Sequence, residues 1–244
     1  MTFSEFKDRF FVIRKCIGCG KILEHKEQKN IFCSSCALAW SVAKTESCKE
    51  CFQSAIECTC QPKELAKTGS LCLRKLIFYH KKRGIPPQMR IVYRLKHRPH
   101  KRGEAFLAKE LSGVMGEELE ALEIKDIARE VVIASVPRSK RSAHRYGIDQ
   151  SERVARAISE KSGVPYIKAI KRSKLFSKEQ KQLTKKLRFK SVRGQFFVNE
   201  ELVEGKYVFL YDDIVTTGAS MTACSELLRK AGAKAIVCLC IAQN

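Results

Sequence analysis

Residues 207–220, YVFLYDDIVTTGAS, constrain the fold of this chain more than any other stretch. The continuous apolar run at residues 208–211 is typical of a strand that is buried on both faces of a parallel sheet. Two carboxylates, Asp212 and Asp213, follow at its carboxyl end. Beyond residue 218, apolar side chains recur at helical spacing until Gly232 ends the segment. The stretch therefore predicts a strand, an acidic pair, a tight loop and a helix.

The loop between this strand and helix has the composition of a phosphate site. Its members are Thr216, Thr217, Gly218, Ala219 and Ser220. Backbone N–H groups at the start of a helix bind anions, and the acidic pair can accept hydrogen bonds from sugar hydroxyls or lie beside a hydrated Mg²⁺. Open α/β sheets bind their ligands at the carboxyl ends of the strands, so we expect a ribose 5-phosphate here. An ordinary strand, turn and helix would explain Thr216 as a cap but not the two carboxylates.

Cysteine pairs dominate the first quarter of the chain, where eight of the twelve cysteines form three C-x2-C pairs and one C-x-C pair. Paired thiolates at this spacing bind Zn²⁺, and two pairs complete a tetrahedral site. The simplest division gives one Zn²⁺ to the first two pairs and a second Zn²⁺ to the last two, although a crossed arrangement also fits the sequence. The eight predicted ligands are Cys16, Cys19, Cys33, Cys36, Cys48, Cys51, Cys58 and Cys60.

The surrounding sequence supports metal binding over disulfide formation. The first 15 residues are charged and lack the apolar core of a signal peptide, and no stretch approaches the roughly 20 apolar residues of a membrane span. We therefore expect a soluble, cytoplasmic protein, in which clustered cysteines are typically metal ligands. Residues 1–62 contain too few apolar residues for a core of their own, so they are predicted to form a small zinc-ribbon domain that the metal stabilises.

The chain is strongly basic, with 47 Lys and Arg against 26 Asp and Glu and a formal net charge of +21. Such a charge favours a polyanionic partner or phosphate-bearing ligands, although a solvated basic surface is the simpler alternative. Residues 65–103 and 168–193 set aromatic side chains among cations, as in surfaces that bind nucleic acid. The first segment fits a strand and a helix or two helices, and equally suits a half-buried domain joint. The second fits a solvated arm, a lid or a nucleic-acid surface.

The remaining periodicities predict an α/β domain over residues 63–244. Helices are expected at 103–122 and 151–161, the latter capped by Asp149, and strands at 131–136, 166–170 and 235–242. Arg138 follows the strand at 131–136 and opens a cation-rich loop. Because this loop leaves the same sheet edge as Asp212, we expect it to receive a second phosphate group.

Taken together, these motifs resemble the ComF family. The similarity extends from Cys16 to about Ala242 and includes YDDIVTTGAS, RLKHRPHKRGEAFLAKEL, HRYGIDQSERVARAI and KEQKQLTKKLRFKSVRGQFFV. Three positions depart from the family pattern, namely Ile148, Asp149 and Ser191. The resemblance implies a zinc ribbon followed by a mostly parallel sheet with flanking helices, like that of type I phosphoribosyltransferases. It assigns phosphoribosyl pyrophosphate (PRPP) to the acidic pair and the loop after it.

The resemblance also implies a function in natural competence, namely the handling of incoming single-stranded DNA in the cytoplasm together with proteins of the DNA-uptake machinery. An active phosphoribosyltransferase, transferring ribose 5-phosphate from PRPP to an unidentified acceptor, is the alternative, and Arg138 would then hold the pyrophosphate. A third hypothesis is an adaptor that binds partners through its zinc ribbon. Alanine at Asp212 and Asp213 should abolish PRPP binding and spare the fold, because carboxylates at a strand tip are expected to be exposed to the ligand.

Overall fold

The computed structural model describes residues 13–80, 85–138, 149–172 and 195–244. Its centre is a parallel sheet of four strands in the order β1-β6-β5-β2. The strands are β1 (Cys72–Phe78), β2 (Val131–Ser135), β5 (Tyr207–Val215) and β6 (Ala235–Gln243). A separate antiparallel pair consists of β3 (Ile170–Arg172) and β4 (Phe196–Val198). The predicted α/β class with a mostly parallel sheet is confirmed.

Helices cover both faces of the sheet. They are α1 (Ser34–Lys44), α2 (Lys63–Ala66), α3 (Pro87–His97), α4 (Lys101–Ala121), α5 (Ile127–Glu130), α6 (Gln150–Ser162) and α7 (Ala219–Lys230), with short 3₁₀ turns at His25–Glu27 and Glu200–Leu202. The described part of residues 65–103 contains strand β1 followed by helix α3, so the two-helix alternative is wrong. Within the described residues, no helix combines the length and the apolar character needed to cross a membrane.

Alternating side chains of the strands divide the core into two layers. On β5, Phe209 and Tyr211 pack into the layer that contains α3, α4 and α6, whereas Val208 and Leu210 pack into the layer that contains α7. Every residue of β2 and eight of the nine residues of β6 are buried, as the continuous apolar runs predict. The central strands are thus fixed from both sides, and their carboxyl ends form a single edge.

The strand predicted at residues 166–170 is largely absent. Only Tyr166 forms a bridge, to Ile133 of β2, and the chain then turns so that Ile170 pairs with Val198 in the antiparallel pair. The apolar run could not distinguish these outcomes, because the choice of pairing partner depends on β4, which lies 26 residues further along the chain.

The cysteine-rich segment shares a hydrophobic core with the rest of the chain. Trp40 on α1 and Phe32 lie against Phe106 of α4, with ring centroids 5.4 Å from Phe106 in both cases. The indole Nε1–H of Trp40 donates to Glu110 Oε2 at 3.1 Å, and the same carboxylate forms a 2.7 Å ion pair with Lys44. The domain boundary at residue 62 stays a prediction, but the packing of the two parts is continuous.

Candidate functional site

Strand β5 carries the acidic pair into the carboxyl edge of the sheet. The strand does not end at Tyr211, because its pairing with β6 continues as far as Val215, opposite Gln243. Asp212 and Asp213 therefore lie inside the last four residues of the strand and not beyond it. Pairing with β6 fixes the backbone of both residues. Because successive side chains of a strand point to opposite faces of the sheet, the two carboxylates have different neighbours.

The predicted loop residues lie together around a cavity of about 330 Å³. Gly218 adopts a φ of +71° and caps the N-terminus of α7, a conformation that favours glycine. Twelve-residue α7 directs its first backbone N–H groups toward this cavity, as in phosphate sites at helix N-termini. The described lining consists of Arg172, Asp212, Ile214, Val215, Thr216, Thr217, Gly218, Ala219, Ser220 and Met221.

Asp213 is buried and already paired with two cations. Its Oδ2 lies 2.5 Å from Arg138 Nη2 and 3.4 Å from Lys96 Nζ, and only 7% of the residue is exposed. Burial pushes the pKa of Asp213 upward, but the charges of Lys96 and Arg138 outweigh it and hold the pKa below its usual value. The expectation that both carboxylates are exposed at the strand tip is wrong for Asp213.

Asp212 has the opposite electrostatic environment. Its Oδ1 accepts hydrogen bonds from the backbone N–H of Asp213 at 2.8 Å and from Ser151 Oγ at 3.4 Å. Burial and the neighbouring charge of Asp213 raise the pKa of Asp212 well above its ordinary value. Among the described residues it forms no ion pair, so this carboxylate is the one that an additional cation would stabilise most.

Arg138, the predicted pyrophosphate ligand, lies next to the acidic pair. Its guanidinium is bound by Asp213, and its backbone N–H donates to Asp149 Oδ2 at 3.3 Å. Asp149 also accepts from the backbone N–H of Glu152 and thereby caps α6, as predicted. The cation-rich loop after Arg138, residues 139–148, lies outside the described residues, as do Ile148 and Ser191.

Arg172 is a cavity residue that the sequence analysis did not identify. Its guanidinium donates to the carbonyl of Pro137 at 3.3 Å and to the side chain of Gln195, and it lies 5.0 Å from the ring centre of Phe196. Burial lowers the pKa of Arg172, yet arginine stays charged because its ordinary value is so high. In the sequence it belongs to a long run of cations, and only its position after a short apolar stretch distinguishes it.

The eight predicted metal ligands form two clusters. Cys16, Cys19, Cys33 and Cys36 compose the first and Cys48, Cys51, Cys58 and Cys60 the second, with all sulfur atoms of a cluster within 4.8 Å of one another. The simple division of the pairs is therefore confirmed and the crossed arrangement is wrong. Four thiols at this separation fit the tetrahedral sulfur ligand set that Zn²⁺ adopts in structural sites.

Backbone and side-chain donors stabilise thiolates in both clusters. Burial opposes ionisation, but N–H groups of the turn and of Cys33 lower the pKa of Cys16 to about 7, and the backbone around Cys48 lowers the pKa of that thiol to about 7. The fully buried Lys75 on β1 donates from Nζ to Cys58 Sγ at 3.2 Å and to the carbonyl of Cys60 at 2.7 Å. A cation here offsets the negative charge of a Zn²⁺ ion with four thiolates.

The second cluster is also close to the candidate phosphate loop. Two residues after Cys60, the side chain of Pro62 packs on Gly218, where a Cβ atom would lie 3.1 Å from Pro62 Cγ. Helix α2, which begins at the next residue, packs on α7. A hydrogen bond of 2.8 Å joins Thr68, just after α2, to Ser225 of α7. The cysteine-rich segment therefore supports the loop directly.

We expect Gly218→Ala to weaken ligand binding at this loop. A non-glycine residue at positive φ costs about 1–2 kcal/mol, and the added methyl group would press on Pro62 and move the first N–H groups of α7. PRPP affinity, measured by calorimetric titration, should fall at least about tenfold. Gly163→Ala is the matched control, since Gly163 has a φ of +77° at the end of α6 and no atom within 4 Å of its added Cβ. Equal loss of affinity in both variants would refute the role of the loop.

The basic segments serve more than one purpose. In residues 65–103, Arg74 is buried against Glu117 and Glu118, and Lys75 and Lys96 contact the second cluster and the acidic pair. For these three cations the half-buried joint is the correct interpretation. In the second basic segment, residues 173–193 lie outside the described residues.

The comparisons with known proteins agree with this geometry. Residues 124–244 match the phosphoribosyl transferase domain family. Competence protein ComFC of Streptococcus pneumoniae (strain ATCC BAA-255 / R6) is 23% identical, and the alignment covers 90% of this chain and 96% of the relative.

Two solved structures are similar to the chain at low TM-scores. Glutamine PRPP amidotransferase from B. subtilis has 23% identity and a TM-score of 0.36, and the match covers 56% of this chain but only 25% of the amidotransferase. A hypoxanthine phosphoribosyltransferase from Trypanosoma cruzi has 15% identity and a TM-score of 0.37, covering 57% and 67% of the two chains. Both scores are below 0.5, so the fold assignment depends on the sheet topology and the domain match.

The motifs, the parallel sheet, the matched domain and the two cysteine clusters thus lead to one assignment. Residues 124–244 form a phosphoribosyl transferase domain behind a cysteine-rich segment, and over 90% of its length the chain is similar to a protein of the ComF family.

Proposed function

We propose that this protein binds PRPP with Mg²⁺ at the carboxyl edge of its sheet and handles single-stranded DNA during DNA uptake in natural competence. The observation that carries the proposal is the cavity in which Asp212, the N-terminus of α7 and Arg172 face the same space. Helix N–H groups and a guanidinium suit phosphate, and an unpaired carboxylate suits a metal ion or a ribose. The function would be exercised in the cytoplasm, with proteins of the uptake machinery as partners.

The described residues fit the parts of PRPP. The loop Thr216–Ser220 would hold the 5-phosphate, and Asp212 and Asp213 would lie beside the ribose. Asp212 lacks a partner cation among the described residues, which suits a hydrated Mg²⁺ that retains most of its waters. When bound, that ion would neutralise charge on the pyrophosphate, and Arg138 would do the same from the neighbouring strand end. The two cysteine clusters would each hold one Zn²⁺ ion.

The DNA part of the proposal is supported by the relative's role and by charge. The name of the aligned relative is that of a competence protein, and this chain carries a formal net charge of +21. A protein of this charge attracts polyanions, and phosphate contacts make such binding strongly dependent on salt. Salt-insensitive binding, or none, would contradict this part.

Catalytic transfer from PRPP is the second candidate function. The match to a phosphoribosyl transferase domain and the position of Arg138 favour it. In that reaction a nitrogen nucleophile would attack C1 of the ribose as pyrophosphate leaves, and Arg138 would stabilise the departing negative charge. No described residue of the cavity identifies the acceptor, and a fold does not by itself establish a reaction.

Phosphorus NMR separates the two functions. The zinc-loaded protein would be incubated with PRPP and Mg²⁺, with and without single-stranded DNA and a mixture of bases. We expect the PRPP signals to broaden or shift without formation of pyrophosphate. Protein-dependent pyrophosphate would instead establish turnover, and unchanged PRPP signals would refute the binding site.

A further inference from the structure

We propose that the exposed face of α3, together with the start of α4, binds the phosphate backbone of single-stranded DNA. This inference rests on the proposed function and names the surface that carries it out. The face is built around three arginines spaced four residues apart, Arg90, Arg94 and Arg98, which we call the arginine stripe.

Helix geometry places Arg90 and Arg94 on one side of α3, and Arg98 is the extended residue that directly follows the helix. Residues four apart lie above one another on a helix, about 6 Å apart along its axis. The opposite side of α3 is fully buried through Met89, Val92 and similar apolar residues. Arg90 and Arg94 therefore lie on the outer side of a helix whose other side is fixed in the core, and Arg98 continues this basic face as an exposed residue.

The first cysteine cluster orients two members of the stripe. Arg90 Nη1 donates to the carbonyl of Gly18 at 3.4 Å, and Arg94 Nη1 donates to the carbonyl of Cys16 at 3.3 Å. Each guanidinium has five N–H donors; Arg94 uses one of them here, and Arg90 uses two, because its Nε also donates to the carbonyl of Ile85 at 3.1 Å. The turn of the cluster thus holds the arginines in place and leaves most of their donors for a ligand.

The stripe borders a concave site. Arg94 and Arg98 line a cavity of about 390 Å³ together with Pro99 and His100. The imidazole Nδ1 of His100 accepts from the backbone N–H of Gly103, so the ring is fixed at the start of α4. All four side chains are apolar or basic, a lining that suits an anion.

The decisive feature is that these cations lack acidic partners. Elsewhere in the same region, Arg74, Lys96 and Arg138 each have a carboxylate within 4.0 Å. Among the described residues no carboxylate oxygen lies that close to any cation of this face, namely Arg90, Arg94, Arg98, Lys101 and Arg102. Within the described part of the chain, the positive charge of this face is therefore not neutralised by an ion pair.

The acidic residue in the first turn of α4 does not neutralise the face. Glu104 forms an ion pair with Arg153 of α6 and accepts from the backbone N–H of His100 at 3.0 Å. Arg102 donates to the carbonyls of Gln28 and Asn30, which are uncharged acceptors. A polyanion would therefore meet uncompensated positive charge along the whole face.

The chemistry predicts binding driven by phosphate and indifferent to sequence. The aromatic ring nearest in the chain, Tyr93, is half-buried and lies against Lys96 and Tyr79. Base stacking is therefore not expected at this face, and the counterion release that accompanies phosphate contacts should dominate.

The test compares two triple variants that remove the same charge. Arg90→Gln/Arg94→Gln/Arg98→Gln changes the stripe, and Lys125→Gln/Lys161→Gln/Lys230→Gln changes three exposed lysines elsewhere. Fluorescence anisotropy with labelled oligo(dT) would be recorded over a range of salt concentrations. For the stripe variant we expect at least tenfold weaker binding near 100 mM salt and a loss of about 2 from the slope of log K against log[salt]. The control should change both quantities little.

A second variant tests whether the loss of DNA binding arises indirectly, from disruption of the first cysteine cluster that Arg90 and Arg94 contact. Arg98→Gln/Lys101→Gln removes two charges from the face. The side chains of Arg98 and Lys101 make no hydrogen bond within the described part of the chain. We expect intact zinc content, unchanged PRPP affinity and a slope reduced by about 1.4. Equal weakening by the stripe and control variants, or a markedly stronger stripe-dependent affinity for oligo(rU), would overturn this proposal alone. Absence of DNA binding by the unmodified protein would instead refute the proposed DNA function.

Discussion

Asp213→Ala is expected to destabilise the protein by about 3 kcal/mol and to abolish PRPP binding. The substitution leaves the partly buried side chains of Arg138 and Lys96 without the carboxylate that both contact. Removing one member of a buried ion pair lowers the free energy of unfolding far more than removing a surface ion pair does, because the remaining charge stays buried without a partner. Denaturant unfolding gives the stability change, and calorimetric titration gives the affinity at a temperature where the variant is folded. An unfolding midpoint equal to that of the unmodified protein would show that the pairing contributes nothing.

Asp212→Asn is the matched comparison and should behave differently. It removes a charge that burial and Asp213 already disfavour, so stability near neutral pH should be kept or increased. PRPP affinity in the presence of Mg²⁺ should nevertheless fall at least about tenfold, because the free carboxylate is lost. Unchanged affinity in this variant would refute the assignment of the acidic pair.

The two carboxylates also predict opposite dependences on pH. The pKa of Asp212 is higher in the folded state than in the unfolded state, so its ionisation destabilises the folded state. This destabilisation is absent at a pH below the unfolded-state pKa and complete at a pH above the folded-state pKa. The stability advantage of Asp212→Asn should therefore grow as the pH rises. The pKa of Asp213 is lowered, so its contribution is present above the unfolded pKa and is lost as the pH falls through the folded value.

This asymmetry shows where sequence reasoning reaches its limit. The strand, the loop and α7 were predictable because their signals are local: an apolar run, a turn that needs positive φ at Gly218, and helical periodicity. The spacing of the cysteines predicted that they bind metal, but the choice between the simple and the crossed arrangement of the pairs required the structure. Adjacent identical residues such as Asp212 and Asp213 differ through side chains from α3, from α6 and from the segment after β2, which no local pattern identifies.

The residues that the sequence missed have the same explanation. Arg172 and Lys75 each belong to a run of cations, and what distinguishes them is the distant residues that their side chains contact. Arg172 is positioned by Gln195 and Phe196 across the antiparallel pair, and Lys75 by the second cysteine cluster. Their functions depend on the assembled sheet, so charge counting along the chain could not find them.

Loss of the first metal site should have the largest effect on stability. Structural Zn²⁺ sites contribute an apparent 10–16 kcal/mol, roughly as much as the whole stability of a typical domain at about 5–15 kcal/mol. In Cys33→Ala we expect residues 13–44 to unfold and to uncover Phe106 on α4, with a large fall in thermal midpoint. Cys224→Ala is the control, because Cys224 is equally buried but belongs to neither cluster, and it should cost about 1–2 kcal/mol.

Loss of the second site should instead be most visible in ligand binding. Cys48→Ala removes a thiolate from the cluster that Lys75 contacts and that leads, within two residues of Cys60, to the packing of Pro62 on Gly218. Once that turn loosens, the first N–H groups of α7 lose their fixed direction, so PRPP affinity should fall at least tenfold even where most of the fold persists.

Three measurements on Cys33→Ala and Cys48→Ala separate the effect on stability from the effect on ligand binding. They are zinc content, near-UV circular dichroism and PRPP titration, with Cys224→Ala measured as the control. If Cys48→Ala loses its metal but binds PRPP as tightly as Cys224→Ala does, the second cluster stabilises only the turn that contains it and does not affect the loop. A loss of affinity confined to Cys48→Ala would mean that the cysteine-rich segment sets the conformation of the loop, because Pro62 and α2 connect the two without passing through the sheet.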